Sequence, residues 1–439
     1  MRRIMPPLYQ YAGLPNIKQP GLGVDECAAR LQALAYAEER LMHLQAAHLV
    51  TVPEWDVKGL LGRLQYEAGQ HADQLKNRLL ELRISKKKAL KASDNPLKVV
   101  FDEAMFAANT TDLLASLVLV FKPALLQAYR AYLAATNHLA DYPTVRILKM
   151  IITEEEETLP LLEAAYHDVA HTPEKEAAAT AWANVLRDML AAAGGIDGTR
   201  PVDGARLKPV RAVRPYVIPR QMSRDDSFRQ IWDFVHVENE RAAERFAQML
   251  ATRLSEITAA EGLAFVLTEV EDQPWPFYVD ISRHLWDEVR HTFFGEAATE
   301  QIFGDRAAMP IRNFDLTYVF QMSPLQQYAA LGLGIEAAMM KYPPGKREEY
   351  EFCRDVAQHP LMTTFQDFDW ADEVLHVNIA RRQLKDWFHG SQQELLALAH
   401  QGVELRAQVR KMQPPSPLPD VSHTLPEIEN GPQRYPDGH

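Results

Sequence analysis

From residue 23 onward, apolar side chains recur three and four positions apart, and Ala, Leu, Glu, Arg and Gln fill the stretches between them. That spacing gathers the apolar positions on one face of a helix, and these residue types hold helical backbone at little cost. Alternation with a period of two is nearly absent, so hardly any strand is expected. The pattern predicts helices near 24–50, 54–83, 98–137, 143–169 and 173–193. It breaks over 194–222, a stretch rich in Gly, Pro and Arg, and resumes near 226–258, 276–303, 323–342 and 346–388, with a break expected at Pro360. The expected organisation is all-α. An N-terminal arm covers 1–22, a helical bundle 23–193, a linker 194–225, a second bundle 226–411, and a disordered tail 412–439 that carries seven prolines.

The length of 439 residues suits two cores of ordinary size rather than one. A formal net charge of −12 argues against nucleic acid as a partner, because phosphate binding needs a clustered cationic surface. The two cysteines, Cys27 and Cys353, lie far apart and in no metal-binding spacing, which points to a reducing compartment without a disulfide framework. No apolar h-region follows Met1-Arg2-Arg3. The most apolar run, Leu113 to Leu126, contains Lys122 and Pro123 and reads as a buried helix. A cytoplasmic protein with no membrane partner is expected.

Two segments share a pattern that carries chemistry. Asp287-Glu288-Val289-Arg290-His291 and Asp372-Glu373-Val374-Leu375-His376 each hold Glu-x-x-His preceded by Asp. On a helix, positions i and i+3 lie on one face a turn apart, so a carboxylate and an imidazole there can reach the same metal centre. One such motif is weak, since Glu and His are common on helix surfaces. Two copies, both opening Asp-Glu-Val, make incidental histidines on solvated faces the poorer reading. Each Asp stands four residues before its histidine and is expected to accept from that ring's outer nitrogen, fixing its orientation. A four-helix bundle builds a dinuclear site from two such motifs plus one Glu from each of two further helices. Glu336 is the single acid in the apolar run Leu331 to Met340, where a lone charge must be paired or metal-bound. For the other helix Glu238, Glu240 and Glu244 compete. His284, four before Glu288 and seven before His291, shares their face and is either a seventh ligand or a hydrogen-bonding neighbour. His236 is a lesser candidate.

An internal repeat bears on the choice. With an offset of 220, Trp55 falls on Trp275, Arg63 on Arg283, Glu67 on Asp287 and His71 on His291, while Ala68 stands opposite Glu288. With an offset of 217, Glu155 falls on Asp372, Glu156 on Glu373 and Leu159 on His376. Glu39-Arg40 matches Glu240-Arg241, which favours Glu240. The first bundle thus retains Glu39, His71 and Glu156 and reads as a degenerate twin, since three scattered donors seldom hold two metals.

On these residues the chain resembles the ferritin-like di-iron carboxylate superfamily. Glu336 followed after 35 residues by Asp372-Glu373-x-x-His376 looks like half of the repeated Glu-x(28–37)-Asp-Glu-x-x-His signature of arylamine N-oxygenases. The other half departs from it, because 46 residues separate Glu240 from Asp287. The resemblance implies tandem ferritin-like four-helix bundles, the first degenerate. It also implies two iron ions, with manganese an alternative, held by Glu240, Glu288, His291, Glu336, Glu373 and His376, with His284 as an added ligand. The implied activity is O2-dependent oxidation or oxygenation of a small organic molecule, an amine among the options. The implied partners are a small-molecule substrate, an external reductase or other electron donor, and a second copy in a homodimer. Metal storage or sensing, and hydrolysis at two divalent metals, remain the competing readings.

Overall fold

A computed structural model describes residues 12–15, 17–85, 95–236, 241–271 and 273–426. Most of it is helical. The chain divides into two compact units, one of residues 1–48 with 64–217 and one of 49–63 with 218–439.

In the first unit, α1 (Val24–Leu49) and the greater part of α2 (Trp55–Glu81), whose residues up to 63 belong to the second unit, are followed by the short α3 (Leu97–Ala104). Next come α4 (Thr110–Ser116), a π-helical stretch Leu117–Phe121, and α5 (Lys122–Ala135), which run on as one rod. α6 (Tyr142–Val169) and α7 (Pro173–Ala192) close the unit. The single helix expected over 98–137 is broken because the Asn109 side chain accepts from the backbone N–H of Asp112 and starts a new helix there. The rod Thr110–Ala135 is the one helix among the described residues long and apolar enough to cross a membrane, and 78% of its most apolar window is buried inside the structure. The expected linker is tied to this unit as far as 217. The buried Glu103 carboxylate accepts from the backbone N–H groups of Val210, Arg211 and Ala212, and Arg211 reaches Asp112 at 2.9 Å.

The second unit is built from α8 (Ala242–Leu254), α9 (Ile257–Glu269) and α10 (Trp275–Phe303). Then follow α11 (Phe314–Val319), α12 (Pro324–Ala329), a second π-helical stretch Ala330–Glu336 and the single turn α13 (Ala337–Met339). α14 (Lys346–Glu351), a third π-helical stretch Phe352–Val356, α15 (Pro360–Trp387) and α16 (Gln392–Arg410) complete it. Two short strands, β1 (Gln230–Ile231) and β2 (Ile311–Arg312), pair in parallel. Residues 226–236 therefore do not begin a helix as the pattern suggested. α9 falls between the helices expected near 226–258 and 276–303, and neither it nor α16, headed by a capping box of Ser391 and Glu394, was expected. Part of the expected tail packs here: Ser416 bridges Phe234, Leu418 lies against Ile231 and Phe234, and Val421 is buried. Residues 427–439 lie outside the described residues.

Close helix packing fixes where the functional side chains meet. A Cβ on Gly295 of α10 would collide with the backbone of Leu254 at the end of α8, and one on Gly332 would collide with Ala380 of α15. Only glycine lets the π-helical stretch lie this close to α15.

Candidate metal centre

α10 and α15 carry the same ladder of donors. His284, Glu288 and His291 stand at i, i+4 and i+7 on α10, and Asp369, Glu373 and His376 do so on α15. That spacing stacks three side chains on one face of each helix. All six are buried, as is Glu336 at the end of its π-helical stretch. The extra residue in a π turn shifts the register of the residues after it, a device common where a side chain must be aimed inward.

These helices, with Glu256 from the junction of α8 and α9, make two adjoining groups. One is His284, Glu288, Glu336 and His376; the other is Glu256, His291, Asp369 and Glu373. In each, four donor atoms lie within 4.8 Å of one another. In the first, His284 Nε2 is 2.9 Å from Glu336 Oε1 and 3.5 Å from Glu288 Oε1, and His376 Nδ1 is 3.4 Å from Glu288 Oε1. In the second, His291 Nδ1 is 3.5 Å from Asp369 Oδ1 and 3.6 Å from Glu256 Oε2. The groups touch through two glutamates. Glu288 turns its other oxygen to within 4.0 Å of His291 Nδ1, and Glu373 Oε2 is 3.9 Å from His376 Nδ1.

The hydrogen-bond pattern shows what the arrangement fits. Glu256 Oε2, His291 Nδ1, Glu336 Oε2, Glu373 Oε2 and His376 Nδ1 are buried and have no hydrogen-bond partner. Buried polar atoms are ordinarily paired, so five orphans converging on one place call for a bound group. Carboxylate oxygens and imidazole nitrogens are the donor types that iron and manganese accept. These buried clusters can hold metal ions.

The outer nitrogens of His291 and His376 are held too, but not as expected, while His284 Nδ1 is buried without a partner among the described residues. His376 Nε2 faces Asp287 at 3.3 Å and His291 Nε2 faces Asp372 at 3.3 Å, so each aspartate serves the histidine of the opposite helix. Side by side on one helix, Asp and His both point into the seam between α10 and α15, where the nearest partner lies across it. Arg283 and Arg290 each bind both aspartates. Burial alone would raise the Asp287 carboxyl, but His376 and Arg283 hold it well below the usual carboxylate range.

Charge separates the two groups. Arg253 binds Glu256 at 3.0 Å and also Asp369, while Lys346 Nζ sits 3.0 Å from Asp369 Oδ2 and 2.9 Å from Glu373 Oε1. Among the described residues no such cation touches Glu336. Five carboxylates thus face two fixed cations, leaving a deficit of positive charge that protonated imidazoles or divalent ions must offset. Without a metal, burial pushes the rings of His284 and His291 down. The surrounding carboxylates, Glu336 foremost for His284 and Asp369 for His291, more than offset this and lift them to about 10 and about 9.

The structure therefore brings together Glu288, His291, Glu336, Glu373, His376 and His284. Glu240 and Glu238 lie outside the described residues. Glu244 bonds the Arg241 side chain and backbone at the helix start. Glu256 and Asp369 were missed, although both left a signal. Glu256 is the single acid in the window 28–37 residues before Asp287, separated from it by 30 residues. Asp369 precedes Glu373 by the same four residues as His284 precedes Glu288.

The first unit holds a smaller cluster of Glu38, His71 and Glu155. The repeat had pointed to Glu39 and Glu156, which a slip of one residue, about 100° of helix rotation, turns away. Glu39 pairs with the buried Lys76, and Glu156 pairs with Arg130 at the surface. Here Lys122, wholly buried, binds Glu155, and Tyr129 donates to Glu38. Lys122 follows a π-helical stretch, and Glu336 ends another. His71 contacts Glu154 at 2.7 Å and Glu38 at 3.3 Å. Burial pushes the His71 ring down, but Glu38 and Glu154 lift it to about 10. Two cations then balance Glu38 and Glu155.

Compared with family models, curated proteins and solved structures, the chain matches none.

Proposed function

We propose that this protein is a non-haem di-iron enzyme that uses O2 to oxidise or oxygenate a small organic molecule. The observation that carries the reading is the meeting of two four-residue donor groups through Glu288 and Glu373, with five buried donor atoms unpaired. In this reading the two units are tandem ferritin-like bundles, and the first has exchanged its metal for an internal ion pair. Glu336, His284 and His376 would hold one ion, Glu256, His291 and Asp369 the other, and Glu288 and Glu373 would lie between them. Manganese is compatible with the same donors. Bound iron supplies the electrons and the open coordination positions for O2 chemistry.

The chain's own residues supply the rest. Asp287 and Asp372 fix the ring planes of His376 and His291, and Arg283 with Arg290 fixes both aspartates. The buried faces of α10 and α15 exclude water and side reactions. A cavity of about 410 Å³ reaches Glu256, Glu288, Glu336 and Glu373 and gives a substrate access. Reduction between turnovers requires an external donor. The test is anaerobic loading with ferrous ion followed by oxygen uptake in the presence of a reductant. Rapid uptake at about two irons per chain is expected. Loading of many irons per chain would point to storage, and hydrolytic activity indifferent to O2 would refute the oxidative reading.

A further inference from the structure

The cavity that reaches the metal centre has a wall with a different character. Arg312, Arg406 and Arg410 line it, and all three guanidinium groups gather round the ring of Phe314, at 5.2, 5.0 and 5.8 Å from its centroid. Asp315 takes the Nε of both Arg312 and Arg406 at 2.9 Å, and Asp233 takes the Nε of Arg410. Three cations thus face two carboxylates. The use of Nε matters, because it orients Arg312 and Arg410 and spares their terminal nitrogens, whereas Arg406 also bonds Tyr318. Among the described residues, the terminal nitrogens of Arg312 and Arg410 have no acceptor. The same cavity is lined by the apolar side chains of Met249, Val319, Leu331, Ile335 and Met339 beside polar ones such as Thr252 and Gln327.

From this we infer that the cavity takes an organic monocarboxylate, its carboxylate on the Arg312–Arg406–Arg410 wall and its apolar body directed toward Glu288, Glu336 and Glu373. A planar guanidinium with free terminal N–H groups matches a carboxylate edge to edge. One uncompensated positive charge suits a single negative charge better than a phosphate dianion or an amine. The volume accommodates a chain or ring of modest size. The inference rests on the proposed function only for what stands at the inner end of the cavity.

The test uses octanoate, octylamine and octyl phosphate as probes, titrated calorimetrically into the full-length protein. Octanoate should bind more tightly than both others, and Arg410→Gln and Arg312→Gln should each weaken it about tenfold or more, as expected for a charge-assisted pair. Arg410→Lys keeps the charge and should weaken it less, which separates loss of the anion site from misfolding. With Mn2+ loaded, paramagnetic relaxation should be strongest at the C8 methyl protons of octanoate and weakest at C2. Unchanged affinity in both glutamine variants, preference for octylamine or octyl phosphate, or strongest relaxation at C2 would overturn the inference. Failure of the protein to bind any metal, with arginine-dependent octanoate binding intact, would sink the metal reading and leave the acid site standing.

Discussion

Removing the charge of Lys122 should destabilise the first unit far more than removing its ion pair altogether. Lys122 is 0% exposed and Glu155 1% exposed, so neither can turn to water when the other is lost. Lys122→Met leaves Glu155 buried beside Glu38, with only His71 to balance two carboxylates. A buried pair broken on one side costs about 3–5 kcal/mol. Replacing both partners by apolar groups of similar volume is close to neutral, so the double variant Lys122→Met/Glu155→Leu should recover most of that loss. Urea unfolding followed by hydrogen exchange along α5 and α6 would report it locally. At a urea slope of about 2 kcal/mol/M the single variant shifts the midpoint by about 2 M, and the double variant by well under 1 M. A single variant within about 1 kcal/mol of wild type, or a double variant as unstable as the single, would refute the self-neutralised core. Such a result would reopen the cluster of Glu38, His71 and Glu155 as a metal site.

The same geometry sets other outcomes. Glu336→Ala and His376→Ala should lower bound iron by at least one equivalent per chain in elemental analysis, while Glu38→Ala leaves it unchanged; equal losses from both units would contradict the account. Lys346→Met removes a cation bonded to Asp369 and Glu373 and should tighten the weaker metal-binding step, by about tenfold or more in a competition titration; weaker binding would show that the lysine supports the site. Because His284 and His291 are lifted to about 10 and about 9 without metal, loading at pH 7 should release protons and apparent affinity should rise with pH toward 9; a pH-independent affinity measured with a weak chelator would speak against it. Burial holds His48 at about 4, below its ordinary 6.5 and against its contact with the Met105 carbonyl, so it favours the folded state fully above pH 6.5. That contribution, ~3 kcal/mol, disappears as pH falls through 4. A His48→Asn variant should show a flatter fall in urea midpoint between pH 7 and pH 4.5, and an identical slope would refute the assignment.

Much of the helical layout and part of the site were legible in the sequence because helix periodicity and the Glu-x-x-His spacing are local rules. Glu288, His291, Glu373 and His376 come from three-residue spacing alone, and Glu336 from one acid in an apolar run. The hidden part depended on contacts between helices. The crossed pairing of Asp287 with His376 and Asp372 with His291 is set across the seam, and no single-helix argument contains it. The π-helical stretches shift register without a marked sequence signal, so the burial of Lys122 against Glu155 was not legible from spacing. Glu256 closes the junction of two helices, a place that helix periodicity does not mark, and its spacing of 30 residues from Asp287 is its one signal in the sequence.

The central claim is that two metal ions sit side by side between α10 and α15. Anomalous diffraction at the iron edge from crystals of the full chain loaded anaerobically with ferrous ion tests it most directly. The account predicts two peaks in the second unit, one among His284, Glu336 and His376 and one among Glu256, His291 and Asp369, with Glu288 and Glu373 between them. No peak there, or a peak at Glu38, His71 and Glu155 instead, would contradict it.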